Sequence, residues 1–351
     1  MIRWPALLFA AALALAVAAC GDDSGSSGAE AVTLTLVTHD SFALSEDTLP
    51  AFTDETGIEV EVVPAGDAGA ALNQAILTKD DPLGDVFFGV DNTFLSRALD
   101  EDLFNAYRSS ELAKVPAEFQ LDDEHRVTPI DYGDVCVDVD REFFAAGDVP
   151  RPRTLDDLTD DDYRGMLVVE DPATSSPGLA FLLATIAEYG ADGWRGYWEQ
   201  LRANDVSVTA GWEQAYNGEF SAGEGAGDRP LVVSYASSPP VAVYFSDPRP
   251  AASPVGVLLD TCFRQIEFAG ILDGTGHEAE ARQLVDFMLS RRYQEDLPLN
   301  QFVFPVREDA ALPRVFTKFA EVAEDPLSIP AEEIGENRDR WIEEWRETVL
   351  R

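Results

Sequence analysis

The chain has 351 residues, with 25 Lys or Arg against 65 Asp or Glu, for a net charge of −40. That charge argues against nucleic acid as a partner, because phosphates would be repelled, while the length is enough for two lobes with real cores. No Gly-x-Ser-x-Gly elbow, His-Glu-x-x-His or Cys-x-x-Cys pattern occurs, so nothing proposes an enzyme, a cofactor or a metal site.

Arg3 precedes an apolar run at 7–17, and Val17-Ala18-Ala19-Cys20-Gly21 follows. A charged start, a short apolar core and small residues before a cysteine form an export leader over 1–19, too short for a membrane span. The ending resembles a bacterial lipobox, which implies that Cys20 becomes a lipidated N-terminus on the outer face of the cytoplasmic membrane. The alternative is an ordinary leader with a chance cysteine. Residues 20–31, rich in Gly, Ser and Asp, read as a flexible tether. No later stretch offers about 18 consecutive apolar residues.

Strands are expected at 32–37, 58–63 and 85–90, and helices at 48–56 (Asp47 cap, Gly57 stop), 68–77 and 92–99 (Asn92 cap). The alternation predicts a parallel sheet with helices on both faces. It restarts past Ile130. Strands fall at 135–139, 166–169, 206–208, 231–235 and 261–268, and helices at 179–189, 193–201, 212–220 and 278–289. Residues 223–228 read as a surface turn. A terminal helix at 330–349 carries Trp341 and Trp345 at i, i+4 spacing, which seals a core face.

The expected fold is α/β and two-lobed, each lobe a mainly parallel sheet flanked by helices, joined by a two-crossing hinge near Asp131 and Leu259. Residues 32–131 plus 260–306 make lobe 1, 132–259 lobe 2, and 307–351 a helical segment packing on both. The cleft between lobes is the natural ligand site. Cys136 and Cys262 follow the two crossings. In an exported protein they read as one disulfide, the alternative being two buried free thiols.

Polar clusters stand at strand ends, before a helix or at the first crossing: Thr38-His39-Asp40-Ser41-Phe42, Asp91-Asn92-Thr93, Asp131-Tyr132-Gly133-Asp134 at the crossing, Asp171-Pro172-Ala173-Thr174-Ser175-Ser176-Pro177-Gly178 before a helix, and Tyr235-Ala236-Ser237-Ser238-Pro239-Pro240. Loops at the carboxyl ends of strands face the crevice, so together they favour a small polar ligand. Singly, such residues also cap helices and shape turns, most plainly Asp91 beside Asn92.

With Gly211-Trp212-Glu213-Gln214-Ala215-Tyr216, these stretches resemble the thiamine-binding, solute-binding proteins of ABC importers, of the two-lobed periplasmic type (type II). The resemblance implies a monomeric, non-catalytic receptor that closes on thiamine or its phosphates and delivers it to a permease. It implies a site of His39, Asp40, Ser41, Asp67, Asp91, Asn92, Asp131, Tyr132, Thr174, Ser175, Ser176, Trp212, Tyr216, Tyr235, Ser238 and Phe302. The family carries aromatics where this chain has His39 and Val241, and a tryptophan near Phe302; Tyr244 is a candidate replacement ring.

The residue types suit that cargo. A fixed thiazolium cation favours aromatic faces such as Trp212 and Tyr235, and carboxylates such as Asp40, Asp67, Asp91 and Asp131. Hydroxyls and free N–H groups where a helix starts near Gly178 suit a hydroxyl or a phosphate. Trp212 reads alternatively as a core tryptophan. Other cargoes of the same receptor class are a polyamine, which also calls for acids and rings, and ferric ion, which adjacent tyrosines would favour and this chain lacks. An anchored enzyme or sensor is the reading from a different class.

Overall fold

Alternating apolar runs become strands, and the small-residue and amphipathic stretches between them become helices. The computed structural model describes residues 32–223 and 227–351. The leader, Cys20, the tether and part of the expected 223–228 turn lie outside the described residues. The first half runs β1 (Thr33–Thr38), α1 (Thr48–Thr56), β2 (Glu59–Pro64), α2 (Ala68–Leu77), β3 (Val86–Asp91), α3 (Leu95–Asp100) and a short β4 (Phe104–Asn105). The second comprises β5 (Thr128–Asp140), α4 (Arg141–Ala146), β6 (Leu167–Glu170), α5 (Ser176–Ala203), β7 (Ser207–Thr209), β8 (Leu231–Tyr235), α6 (Pro239–Tyr244) and β9 (Val255–Leu272). The chain then returns through α7 (Glu278–Met288), α8 (Arg291–Asn300), β10 (Phe304–Pro305), α9 (Arg314–Phe319) and α10 (Ala331–Val349).

The strands join one sheet in the order β2-β1-β3-β9-β5-β8-β6-β7, with β4 on β9 and β10 on β5. Its ends are parallel trios, β2-β1-β3 and β8-β6-β7. Between them lie β5 and β9, long and antiparallel to their neighbours. Residues 32–351 pack as one unit, the halves held together by the sheet itself.

The β5–β9 ladder jumps register between Val135↔Phe263 and Val137↔Leu258, leaving residues 259–262 bulged out. The Val137 N–H donates to Thr261 Oγ1 at 2.9 Å, so the bulge keeps its bonding. The disulfide Cys136–Cys262 closes across this break, its Cα atoms 4.2 Å apart.

Several local expectations are revised. Asp47 caps nothing with its side chain, which lies instead on Arg292, 3.1 Å away. Asn92 is not the cap before α3. Asp91 Oδ1 accepts from the Thr93 and Phe94 N–H groups, while Asn92 ties β3 to β9, accepting from the Ile266 N–H at 2.8 Å and donating to the Arg264 carbonyl at 3.1 Å. The helices expected at 179–189 and 193–201 run together as α5 through a bend at Gly190, whose φ of 67° suits glycine. The turn after Trp212 is a wide π-type coil over Gln214–Glu219. Helices α6 and α8 were not expected: Pro239-Pro240 opens one and Pro298 sits inside the other.

Helix α10 buries Trp341 and Trp345, with Trp345 edge-on to Trp198 at 5.4 Å. It touches both halves: Arg202 on α5 donates to the Thr348 carbonyl at 3.0 Å, and Arg338 reaches Ser96 on α3 at 3.4 Å.

Because the disulfide joins cysteines 126 residues apart, replacing both with alanine should cost about 2–5 kcal/mol. Urea unfolding of the exported protein would show this as an earlier midpoint; an unchanged midpoint would count against a structural role for the bond.

Candidate functional site

Loops after β1, β8 and α8, the starts of α2 and α5, the Trp212 turn and the middle of β9 converge on a cavity of about 240 Å³. Its lining combines rings with the carboxyls of Asp67, Glu213 and Glu267, and includes no lysine or arginine.

Asp67 joins the two halves. It caps α2 by accepting from the Ala68 N–H at 2.6 Å, and it accepts from the Trp212 N–H at 2.9 Å. Gly211 permits this approach, since a Cβ there would stand 2.8 Å from Asp67 Oδ2. One turn on, the Ala70 N–H donates to the Thr174 carbonyl at 3.0 Å. Burial raises the Asp67 pKa to about 6 despite the two N–H donors.

Trp212 stacks on Tyr216 with centroids 5.0 Å apart and meets Tyr235 edge-on at 6.4 Å. Its indole N–H donates to Ser234 Oγ at 3.0 Å, and Ser238 holds that hydroxyl from the other side at 3.0 Å. The ring is therefore half-buried, braced and still part of the cavity wall. At the mouth, Phe245 on the α6 side and Phe302 after α8 face each other at 6.0 Å. Val241 and Phe245 both line the wall, one helical turn apart, whereas Tyr244 does not line it. Phe302 adopts φ 55°, a left-handed conformation that bulky residues rarely take and that clusters at binding sites.

On the floor, three acids stand side by side across neighbouring strands. Asp91 on β3 pairs in register with Glu267 on β9, which pairs in register with Asp131 on β5. Glu267 alone of the three lines the cavity. Burial raises Asp91 and Asp131 to about 7, and burial with Asp131 and Asp91 alongside pushes Glu267 well above the usual carboxyl range. Among the described residues none of these acids pairs with a lysine or arginine; the nearest basic group is His39, whose Nε2 lies 3.9 Å from Glu267 Oε1. Burial lowers His39 to about 4, so the ring is neutral at physiological pH, with Nδ1 2.9 Å from Ser41 Oγ. Gly89, at φ 108°, makes room for it: a Cβ would sit 2.6 Å from His39 Cδ2.

Of the residues expected at the site, His39, Ser41, Asp67, Ser176, Trp212, Tyr216, Tyr235, Ser238 and Phe302 line the cavity. The others do not. Asp40 is exposed. Asp91 and Asp131 lie buried on either side of Glu267 without lining the cavity, and Asn92 is spent on β9. Tyr132 stacks between Phe119 and Phe304, at 4.7 and 5.3 Å. Thr174 donates to the Ala210 carbonyl at 2.6 Å, and Ser175 is buried at the start of α5. Sequence reasoning missed Glu267 and Phe245. Glu267 sits between Ile266 and Phe268, the only local signal for it, and Phe245 lies beyond a helix that Pro239-Pro240 concealed. Among the described residues no cluster of three or more His, Cys, Asp or Glu is arranged to hold a metal ion.

Residues 81–320 match the family described as bacterial extracellular solute-binding protein. The thiamine-binding periplasmic protein of Salmonella typhimurium is 30% identical over 323 residues, covering 91% of this chain and 94% of that one. That of Brucella suis is 31% identical, covering 89% and 91%. A solved structure titled periplasmic thiamin binding protein superposes with a TM-score of 0.79 at 27% identity, covering 91% of this chain and 96% of its own.

The buried acids set a pH dependence. With Asp67 near 6 and Asp91 and Asp131 near 7, the folded protein holds protons that the unfolded chain releases near pH 4, so stability falls as pH rises through about 4 to 7. His39, lowered to about 4, works the other way below about 6.5 but is a single group. Urea unfolding of ligand-free protein at fixed ionic strength should therefore show stability declining from about pH 5 to 8, with a flatter slope in Asp131→Asn. A rise over that range would contradict protonated acids in the folded site.

Proposed function

The chain belongs to the bacterial extracellular solute-binding proteins, and from that premise we propose that it captures thiamine in this cavity and hands it to the permease of an ABC transporter. The observation that carries the reading is a cavity walled by rings and carboxyls with no lysine or arginine, its one histidine kept neutral by burial. A fixed organic cation gains from both: the ring faces attract it through their quadrupoles, and the acids supply a counter-charge that no protein cation supplies. In this reading Trp212 and Tyr235 flank a ring of the ligand, Phe245 and Phe302 cover it at the mouth, and Asp67 and Glu267 meet its charged and amino groups. The rings favour a flat cation over a linear polyamine. The absence of lysine and arginine from the lining favours thiamine over its phosphates.

We read residues 32–131 plus 260–306 and residues 132–259 as jaws that close on the ligand, with 307–351 packed across both. The Asp67–Trp212 and Ala70–Thr174 bonds tie the jaws together beside the cavity, as a closed receptor requires. The protein acts as a monomer that binds without converting, outside the cytoplasmic membrane, held there by lipid on Cys20.

Mass spectrometry of ligand released on denaturation tests the cargo directly, and thiamine should raise the melting temperature by mass action. Trp212→Ala should weaken thiamine binding by about 1–3 kcal/mol, roughly five- to 150-fold. Calorimetry on variants whose circular dichroism matches wild type reads this, and no melting shift at thiamine well above micromolar would refute the cargo. Separately, Cys20→Ser should move the protein from the membrane to the soluble fraction; retention in high salt would argue against the lipid anchor.

A further inference from the structure

The geometry points to Glu267 as the residue that selects for positive charge in the cavity, with Asp131 as its positioning residue: the two carboxyls share one proton when the site is empty, and an entering cation expels it. The inference rests on the cationic cargo proposed above and adds a stoichiometry to it.

Glu267 and Asp131 are direct register partners on β9 and β5, on the same face of the sheet. Two ionised carboxylates would both be acceptors, and neither Asp131 oxygen has a donor. One proton between them turns a repulsion into a hydrogen bond, which is how like-charged buried pairs persist. The neighbouring acids each have donors, although Asp91 Oδ2 is buried without a partner and burial still raises both. Asp91 Oδ1 accepts from the Thr93 hydroxyl and from the Thr93 and Phe94 N–H groups, and Asp67 accepts from two N–H groups. These donors favour the ionised form of their own acids. Asp131 lacks them and has only Glu267.

The groups facing Glu267 from other elements do not neutralise it. They are His39 from the loop after β1, Asp67 from the start of α2, Asp91 from β3, Tyr235 from β8 and Tyr293 from α8. His39 stays neutral to about pH 4, and its Nε2 is buried without a hydrogen-bond partner. When a fixed cation enters, it takes over the role of the shared proton. Glu267 ionises, the proton passes to solvent, and the site's net charge is unchanged. A neutral ring of the same shape gains nothing from this exchange.

Sign follows from linkage. Binding competes with the proton, so thiamine affinity rises with pH by up to about tenfold per unit while the pair is protonated, and levels off once it is not. The test is calorimetry of the full chain with thiamine at pH 6, 7 and 8, in phosphate and in MOPS, which both buffer near neutrality and whose different ionisation enthalpies count the protons. Wild type should release close to one proton at pH 6 and progressively fewer at pH 8. Glu267→Gln should release clearly fewer protons than wild type, keeping only the share of Asp67, which titrates at about 6, and bind at least tenfold more weakly. Asp131→Asn should also release fewer protons and show a flattened affinity profile, gaining at pH 6 relative to pH 8. A structural role for Asp131 alone would instead weaken binding equally at every pH and leave the wild-type count at zero. Tight binding by wild type with no buffer-dependent heat overturns the inference and leaves the cargo standing. Absence of binding at every pH overturns the cargo, and the inference with it.

Discussion

Strands β5 and β9 run side by side through the middle of the sheet, and each other part of the molecule is placed by that pairing. The parallel trios hang from its two edges, β10 and β4 add to it, and the cavity floor is built from it. Its two faces carry opposite chemistry, because successive residues of a strand point to opposite sides. On one face Asp134 pairs with its register partner Arg264 and accepts from the Ala323 N–H at 2.8 Å, so its charge is fully met. Three residues back along β5 and three on along β9, Asp131 and Glu267 are also register partners, on the side that opens to the cavity, and their charge is not met. The same ladder thus supplies a neutralised brace and an unneutralised floor.

This sharpens what the net charge of −40 means. Most acids lie on the surface, where water screens them and they say little about a ligand. The informative acids are the few that the fold takes out of water without giving them a cation. Burying an ionisable carboxyl is costly unless it is paired or protonated; Asp138 and Glu170 are buried without a cation too, away from the cavity, so it is the place of Glu267 in the cavity lining that makes it informative. Rings on the walls then restrict which cation gains: a flat one can lie against Trp212 and under the Phe245 and Phe302 pair, and a compact inorganic ion cannot use them.

What was legible in the sequence was local. Helix α2 and strand β8 were readable to the residue, since small residues after Asp67 and a run of β-branched residues each have one sensible reading. Trp212 was named through the family resemblance of its stretch and its fit to a cation, with a core tryptophan as the alternative. What escaped depended on partners distant in sequence. Asp91 and Asn92 are adjacent and both suit a helix start; neither side chain caps α3, because the β9 backbone claims Asn92 and Asp91 bonds the turn before the helix. Asp131 looked like a ligand contact because it borders a strand, yet only the fold shows that Glu267, its register partner, lines the cavity while Asp131 does not. Helices α6 and α8 were masked by prolines that the structure accommodates, two at the start of one helix and one inside the other.

The disulfide has a topological consequence. Cys136 and Cys262 bracket the second half of the molecule, so the chain leaves the first half and returns to it at points whose Cα atoms are 4.2 Å apart. With that bond in place the second half is a covalent ring rather than an excursion of an open chain. A single nick by an extracellular protease anywhere along the ring would leave both fragments joined, still paired along β5 and β9. For a protein working outside the cell, the bond therefore keeps a damaged receptor in one piece as well as holding a fold.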